Sequence, residues 1–555
     1  MAMEKRSRSD GIPKTKEKQN GRHFTKPDRS LTGSIRLLLS VVSALYFVIL
    51  FLFLPLVYHD KYYDIGVFKY DFFFYTTVPA VLLTAVLLII LITIRLAKRD
   101  TDPVKLIEQL SRITNIDKAV LAYMLVCIIS YFMSPYHTGA VGYKGTINPP
   151  LLGAPGWRMG LISQLLFCCI YFMAAKLTEP SFRRIIMAAV YTGSLIAYLL
   201  ALLNRFSIDP LGFYRNITPY YKLIFLSTLG QSTWYSSFLS TLLPVALAMF
   251  IYEKRSRYRA FYTFYIVIGS MSLVTQNSDS AYIALFAALL TLFVFALDRN
   301  NYFARFLQLI LIILLSFRLV GLLQFVFPEA AVMPESISRF FSQSVAMLVI
   351  TILYALLYVV FSLVSASYGI FMRRIRIIRT LLLVICGVMT AFVTAVLVLS
   401  RNEIYVFGRD ASPYLIFNDS WGSGRGFTWR MTVQMFRDFP LTAKLFGIGP
   451  DCYAEYAYEY HSAEMMEKWG GEVLPNAHNE WFNTLFNLGI LGLISYVAVF
   501  FSAFRDFIMK KHISAISMAG AAAIAAYVCH NFFCYQQILC TPFIFAIMGL
   551  CKALE

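Results

Sequence analysis

The sequence predicts an all-α polytopic membrane protein of about 14 transmembrane helices, with one large external loop forming a partly helical cap. Three observations lead there. Of 555 residues, 58% are apolar and only 14% charged, with a mean hydropathy of +0.64; a soluble globular chain carries roughly 45–50% apolar and about 25% charged residues. Apolar runs close to the ~20 residues that a membrane helix needs recur along most of the chain. The connections between them are basic in alternation, as expected when Lys and Arg collect on the cytoplasmic side.

Residues 1–35 are polar and basic, the composition of a disordered cytoplasmic tail. They lack the short apolar core and small-residue cleavage site of a secretory signal. Eleven spans are expected within 36–400, near 36–57, 72–95, 118–134, 158–177, 185–204, 233–252, 260–277, 281–297, 306–327, 344–368 and 380–400. Three more follow within 481–555, near 481–504, 513–530 and 538–552. With the N-terminus inside, the inner loops hold Lys98/Arg99/Lys105/Arg112, Arg183/Arg184, Lys254/Arg255/Arg257/Arg259, Arg299/Arg305, Arg373/Arg374/Arg376/Arg379 and Arg505/Lys510/Lys511. That alternation implies an even span count with both termini cytoplasmic. It also accounts for the net charge of +18 through topology and anionic headgroups, with no nucleic-acid partner. Cys127, Cys168, Cys169, Cys386 and Cys551 lie in apolar runs, whereas Cys452 and Cys534 fall on the outside in this topology, where they could pair.

One connection, 401–480, is far longer than the median loop of roughly 4–6 residues. It contains FTWRMTVQMFRDF (Phe427–Phe439), with Phe427, Met431, Met435 and Phe439 at helical spacing. Pro440 ends that helix, the turn GIGP (Gly447–Pro450) follows, and AEYAYEYHSAEMMEKW (Ala454–Trp469) is a second helical stretch. The topology places this segment outside as a cap.

Polar chemistry concentrates on that face. Arg425 follows a flexible Gly-Ser-Gly lead just before the amphipathic helix, with Arg430 behind it. A guanidinium there, near a helix N-terminus, suits an anion because its planar fork binds phosphate bidentately and stays charged. Arg158 in GAPGWRMG and Arg215 in LGFYRNITPYYK lie on the same side. The plain alternative for each is interfacial anchoring. His478 stands at the mouth of the twelfth span in LPNAHNEWFNTLFNLGILGL, flanked by Asn479 and Glu480. An ordinary His titrates near 6.5 and can take a proton at working pH. His530, in CHNFFCYQQ, sits at the outer end of span thirteen. Gly489 and Gly492 read as small residues for close helix contact.

GRGFTWRMTVQMFRDFPLTAKLFGIGPDCY followed by NAHNEWFNTLFNLGILGLISY resembles the O-antigen ligase and polymerase superfamily of bacterial membrane glycosyltransferases. Arg425, Trp429, Pro440–Leu441, Gly447–Pro450, His478–Asn479 and Gly489/Gly492 match the family pattern in order. Weaker matches are STLGQSTWYSSFLSTLLP (Ser227–Pro244) and QNSDSAYIALFAALL (Gln276–Leu290), where Asp279–Ser280 replaces the family's Ser-Arg. The resemblance implies a GT-C-like fold in the bacterial plasma membrane. It implies transfer from an undecaprenyl-diphosphate-linked oligosaccharide to a glycan acceptor, with no metal or other cofactor. His478 and Arg425 would be catalytic, and Arg158, Arg215, Arg430, Asn479, Glu480 and His530 would bind substrate. A lipid-linked glycan flippase and a non-catalytic scaffold remain as alternatives from other classes.

Overall fold

The computed structural model describes residues 30–98, 112–137, 148–297, 300–365, 371–408, 412–510 and 514–554. Most of the expected tail lies outside these residues, as do Arg99, Lys105, Arg299 and Lys511 and the side chains of Arg373, Arg374 and Arg376. The first helix already starts at Leu31, where the Ser30 hydroxyl accepts the Gly33 N–H at 3.0 Å.

Each of the expected spans contains a helix. Before the cap run α1 (Leu31–Val48), α2 (Ile65–Lys98), α3 (Asn115–Met133), α4 (Leu161–Phe172), α5 (Arg183–Arg205), α6 (Ser232–Tyr252), α7 (Ser256–Thr275), α8 (Ser280–Ala296), α9 (Asn300–Val326), α10 (Val345–Ser365) and α11 (Phe371–Arg401). The cap holds α12 (Trp421–Asp438), α13 (Leu441–Phe446), α14 (Tyr453–Tyr460) and α15 (Ser462–Trp469), and α16 (Glu480–Ile508), α17 (Ala515–His530) and α18 (Thr541–Ala553) close the chain. Among the described residues, nine helices are long and apolar enough to cross a membrane, fewer than the fourteen expected. The α4 stretch (to Leu177), α8, α17 and α18 are apolar but only 10–17 residues long, and α7 also falls outside the nine. Apolarity records burial as well as helix: Ile538, Leu539 and Cys540 are fully buried yet belong to the loop before α18.

The bundle centres on α6, which is buried along nearly its whole length and packs against α7, α8, α9 and α17. α17 reads AISMAGAAAIAAYVCH, and its small residues let it approach α6 and α8 closely. At the other extreme, only 11% of the apolar window of α10 and 6% of that of α11 is buried. Their Leu, Ile and Val side chains face outward, as hydrocarbon permits for a helix whose backbone is satisfied internally. Helices thus build an all-α polytopic membrane protein, with one two-stranded hairpin (β1, Phe225–Leu226; β2, Gly230–Gln231) before α6.

The cap has a hydrophobic cluster of its own. The expected face of α12 is buried there: Phe427, Met431 and Met435, with Phe439 just beyond, pack with Tyr453, Ala457, Met465 and Phe486. Phe486 belongs to α16 and roots the cap, its ring 4.8 Å from Phe439 and 4.9 Å from Tyr453. The helical stretch 454–469 is split at His461 into α14 and α15. α16 is broken at Gly489, where φ is 71° and ψ −172°. A Cβ there would run into the Leu445–Phe446 backbone, so the small residue accommodates cap helix α13. Beside the break, the Asn487 carbonyl accepts the Ser130 hydroxyl at 3.0 Å and the Gly449 N–H at 3.0 Å. The Asn487 side chain accepts the Cys452 N–H at 3.1 Å. Cys452 and Cys534 are both free thiols.

Candidate active site

The GIGP turn delivers Asp451 to the loop between Leu152 and α4. Its Oδ2 accepts the Ala154 N–H at 2.8 Å and the Met159 N–H at 2.9 Å. Burial pushes its pKa up to about 7, against the two N–H donors, which favour the anion. This clamp holds Arg158, itself in the left-handed region at φ 49°. The Arg158 guanidinium lies 5.7 Å from the Tyr70 ring centroid, and its Nε is buried with no partner among the described residues.

Arg425 reaches the same region from the cap. Gly422, Ser423 and Gly424 all have positive φ, which turns the chain sharply before the regular part of α12. Nη1 of Arg425 donates to the Gly422 carbonyl and Nη2 to the Phe533 carbonyl, both at 2.8 Å. Its Nε is also buried without a partner among the described residues. Phe533 lies in the loop between α17 and α18, so Arg425 joins cap to bundle. Burial lowers its pKa from the usual arginine value.

His478 precedes α16 with φ 50°. Its N–H donates to Asn476 Oδ1 at 2.9 Å, and Nδ1 lies 3.4 Å from the Asn476 carbonyl. A proton on Nδ1 would leave Nε2 as the free lone pair, and Nε2 has no hydrogen-bond partner among the described residues. The imidazole packs edge-on against Tyr535, centroids 5.2 Å apart. Desolvation first, and then the Arg425 charge, pull its pKa down to about 4, so it is a neutral acceptor at physiological pH. Tyr535 is the common wall. With Gln536, Asn476, Asn483 and Arg158 it lines a small cleft beside Asp451, and its hydroxyl accepts Trp234 Nε1 at 2.8 Å.

Beneath this cleft lies a polar chain. Glu480 is buried, accepting Tyr496 at 2.6 Å, Tyr527 at 3.1 Å and Asn531 Nδ2 at 2.5 Å. That fixes Asn531 Oδ1 as an acceptor facing His530 Nδ1 at 2.9 Å. His530 Nε2 is left to receive Ser236 at 2.7 Å or Ser280 at 3.0 Å. Both ring nitrogens are occupied, so His530 ties α6, α8 and α17 together rather than facing a ligand. Asn479 caps α16, accepting the Trp481 and Phe482 N–H groups at 2.9 and 3.0 Å. Arg430 is paired bidentately with Asp419 at 3.0 and 2.7 Å within the cap. Arg215 is exposed on the 206–218 loop, where its carbonyl accepts Lys61 Nζ at 3.4 Å. The structure therefore gathers His478, Arg425 and Arg158 around Tyr535, with Glu480 and His530 underneath, and gives Arg430, Asn479 and Arg215 other partners or places.

Asp451, Tyr535 and Gln536 escaped the sequence reading, although Asp451 directly follows GIGP and the Tyr-Gln-Gln run is conspicuously polar between apolar segments. Asp279 accepts the Tyr414 hydroxyl at 2.9 Å, fastening the cap to the turn before α8.

Arrangement and composition define a multi-pass membrane protein whose polar site is assembled between a cap and a helical bundle. Residues 340–497 match the family model described as O-Antigen ligase, which bears out the resemblance to the O-antigen ligase and polymerase superfamily. The match runs from the segment before α10 through the cap into α16, and so includes Arg425 and His478. It implies glycan transfer of the ligase or polymerase type in a bacterial membrane. A comparison with curated proteins finds no match.

Proposed function

We propose that the protein transfers or polymerises oligosaccharide from an undecaprenyl-diphosphate-linked donor onto a glycan acceptor at the external membrane face, building cell-surface polysaccharide. The reaction is inverting and metal-independent, on a GT-C-like scaffold with both termini cytoplasmic. The observation that carries this reading is a buried Arg425 acting on a histidine held neutral, with Arg158 and that histidine both set against Tyr535 and each arginine keeping a buried Nε with no partner among the described residues. Arg425 is oriented by two carbonyls that cannot neutralise it, so its charge is available to a diphosphate. Arg158, held by the Asp451 clamp, supplies a second cation on the cleft walled by Tyr535.

His478 Nε2 takes the proton of the acceptor hydroxyl as that oxygen attacks the anomeric carbon from the face opposite the leaving group. The anomeric C–O bond breaks, and its electron pair leaves with the lipid diphosphate, whose charge Arg425 and Arg158 stabilise. Positioning and electrostatics of this kind supply most of the rate in such transfers. A base pulled down to about 4 is weak on its own. Desolvation depresses it first and the Arg425 charge second; bound diphosphate offsets that second part, so the base strengthens as substrate arrives.

Proteoliposomes supplied with lipid-diphosphate oligosaccharide and EDTA provide the test, with wild type beside His478→Ala and Arg425→Ala. Product from wild type alone supports the reading, with each variant expected to lose on the order of 10²–10³ in turnover. Equal turnover in all three removes both residues from the mechanism. Movement of donor across the bilayer without product makes the protein a transporter instead.

A further inference from the structure

The cleft walled by Tyr535 has a size and a set of polar atoms that glycan transfer does not by itself require. Its volume is about 30 Å³, room for a group of about water size and little more. Three of the polar side chains that line it, Asp451, Asn476 and Asn483, are almost wholly buried, at 9%, 6% and 9% exposed. Its rim meets the outside, with Pro155 exposed and Trp157 and Pro475 half-buried.

Local contacts set what each side chain offers. Asn476 Oδ1 accepts the His478 N–H at 2.9 Å, and Asn483 Oδ1 accepts the Ala477 N–H at 3.3 Å. Only the oxygen of a carboxamide can take a backbone N–H, so both amides are oriented. Both Nδ2 groups remain donors with no partner among the described residues. Asp451 uses Oδ2 for the Ala154 and Met159 N–H groups, which leaves Oδ1 as an acceptor with no partner among the described residues. Two donors and one acceptor are the complement of a single hydroxyl, which donates one hydrogen bond and accepts two. A methyl ether would bring no proton to Oδ1 and would need more room.

We propose that this cleft reads one hydroxyl of a sugar ring, that of the donor residue joined to the diphosphate. The assignment rests on the transfer function proposed above, which puts the diphosphate on Arg158, a wall of the same cleft. The ring joined to that diphosphate is the one within reach, and Trp157 and Tyr535 give it an apolar, aromatic surround. Sugars farther along the oligosaccharide lie beyond the cleft and are not read by it.

Proteoliposomes supplied with synthetic polyprenyl-diphosphate disaccharides test it. The first sugar is glucose, galactose or mannose, and in analogues of each one hydroxyl at a time is replaced by hydrogen or by O-methyl. For wild type, one position on the best-used first sugar should stand out. Its deoxy analogue should lose on the order of 10²-fold in kcat/KM, the worth of three ordinary hydrogen bonds, and its O-methyl analogue at least as much. Asn483→Asp keeps an acceptor for the Ala477 N–H and removes a donor. It should slow the parent donor while handling the deoxy analogue as wild type does, so that the ratio between the two shrinks. A merely structural loss slows both alike and keeps the ratio, which overturns the site. Equal use of every analogue by wild type, with transfer intact, also overturns it, and that series needs no variant to fold. Discrimination confined to hydroxyls of the acceptor overturns the donor assignment. Absence of product from every donor overturns the transfer function itself, and this site with it.

Discussion

At the scale of single residues, the site depends on holding ionisable groups away from their ordinary states. His478 is stripped of water and faces the Arg425 charge, which together bring it to about 4. Its pH dependence follows from that cause. In free enzyme the acid limb of kcat/KM should fall near this low value. Once diphosphate offsets Arg425, the limb of kcat should move to higher pH. A kcat limb at or below that of kcat/KM would separate His478 from the diphosphate. Asp451 behaves in the opposite sense, since burial raises it to about 7 from 3.8. A raised carboxyl contributes stability in full below its unfolded value and loses it as pH rises through the folded one. The Tm advantage of wild type over Asp451→Asn should therefore shrink between pH 4 and pH 8. Asp451→Ala leaves two buried N–H groups unpaired, at about 1–3 kcal/mol each. It should raise KM more than the Asn variant does, because the Arg158 loop loses its clamp.

Among elements, the break in α16 sets how the cap sits. The Asn487 carbonyl beside Gly489 serves α3 and the GIGP turn instead of the helix. Gly489→Ala meets both a backbone conformation that an L side chain rarely adopts and the Leu445–Phe446 backbone. Strain of that kind alone costs on the order of 1–3 kcal/mol, so the variant should unfold at a clearly lower temperature. Unchanged Tm would mean that cap and bundle are not coupled at this point. His530 shows the same dependence on neighbours: through Asn531, Glu480 determines which nitrogen carries its proton, and the hydroxyls of α6 and α8 take the other.

For the whole molecule, the cap and the basic connections should lie on opposite sides of the membrane. Ser462→Cys in α15 should react with a membrane-impermeant maleimide in intact cells, while Lys254→Cys should react only after permeabilisation. Both positions are exposed. The reverse pattern would invert the topology and move the proposed chemistry to the cytoplasmic face.

Much was legible before the fold was known. Helices appeared at every expected apolar stretch because membrane burial demands long apolar runs with internally satisfied backbone. The cap face of Phe427, Met431, Met435 and Phe439 was readable from its period. Arg425 and His478 stood out because polar groups at the edge of apolar segments are costly without partners. What sequence could not show was convergence: that Arg158 arrives through a clamp from Asp451, nearly three hundred positions away, or that Tyr535 walls the cleft. Nor could it separate His478 from His530, two histidines at helix ends. Only packing decides that one has both nitrogens satisfied by α6, α8 and Asn531, while the other keeps an Nε2 with no partner among the described residues, beside a buried arginine. Local pattern records the solvent that each segment meets; the partners of a buried polar atom are set by distant segments brought together in the folded chain.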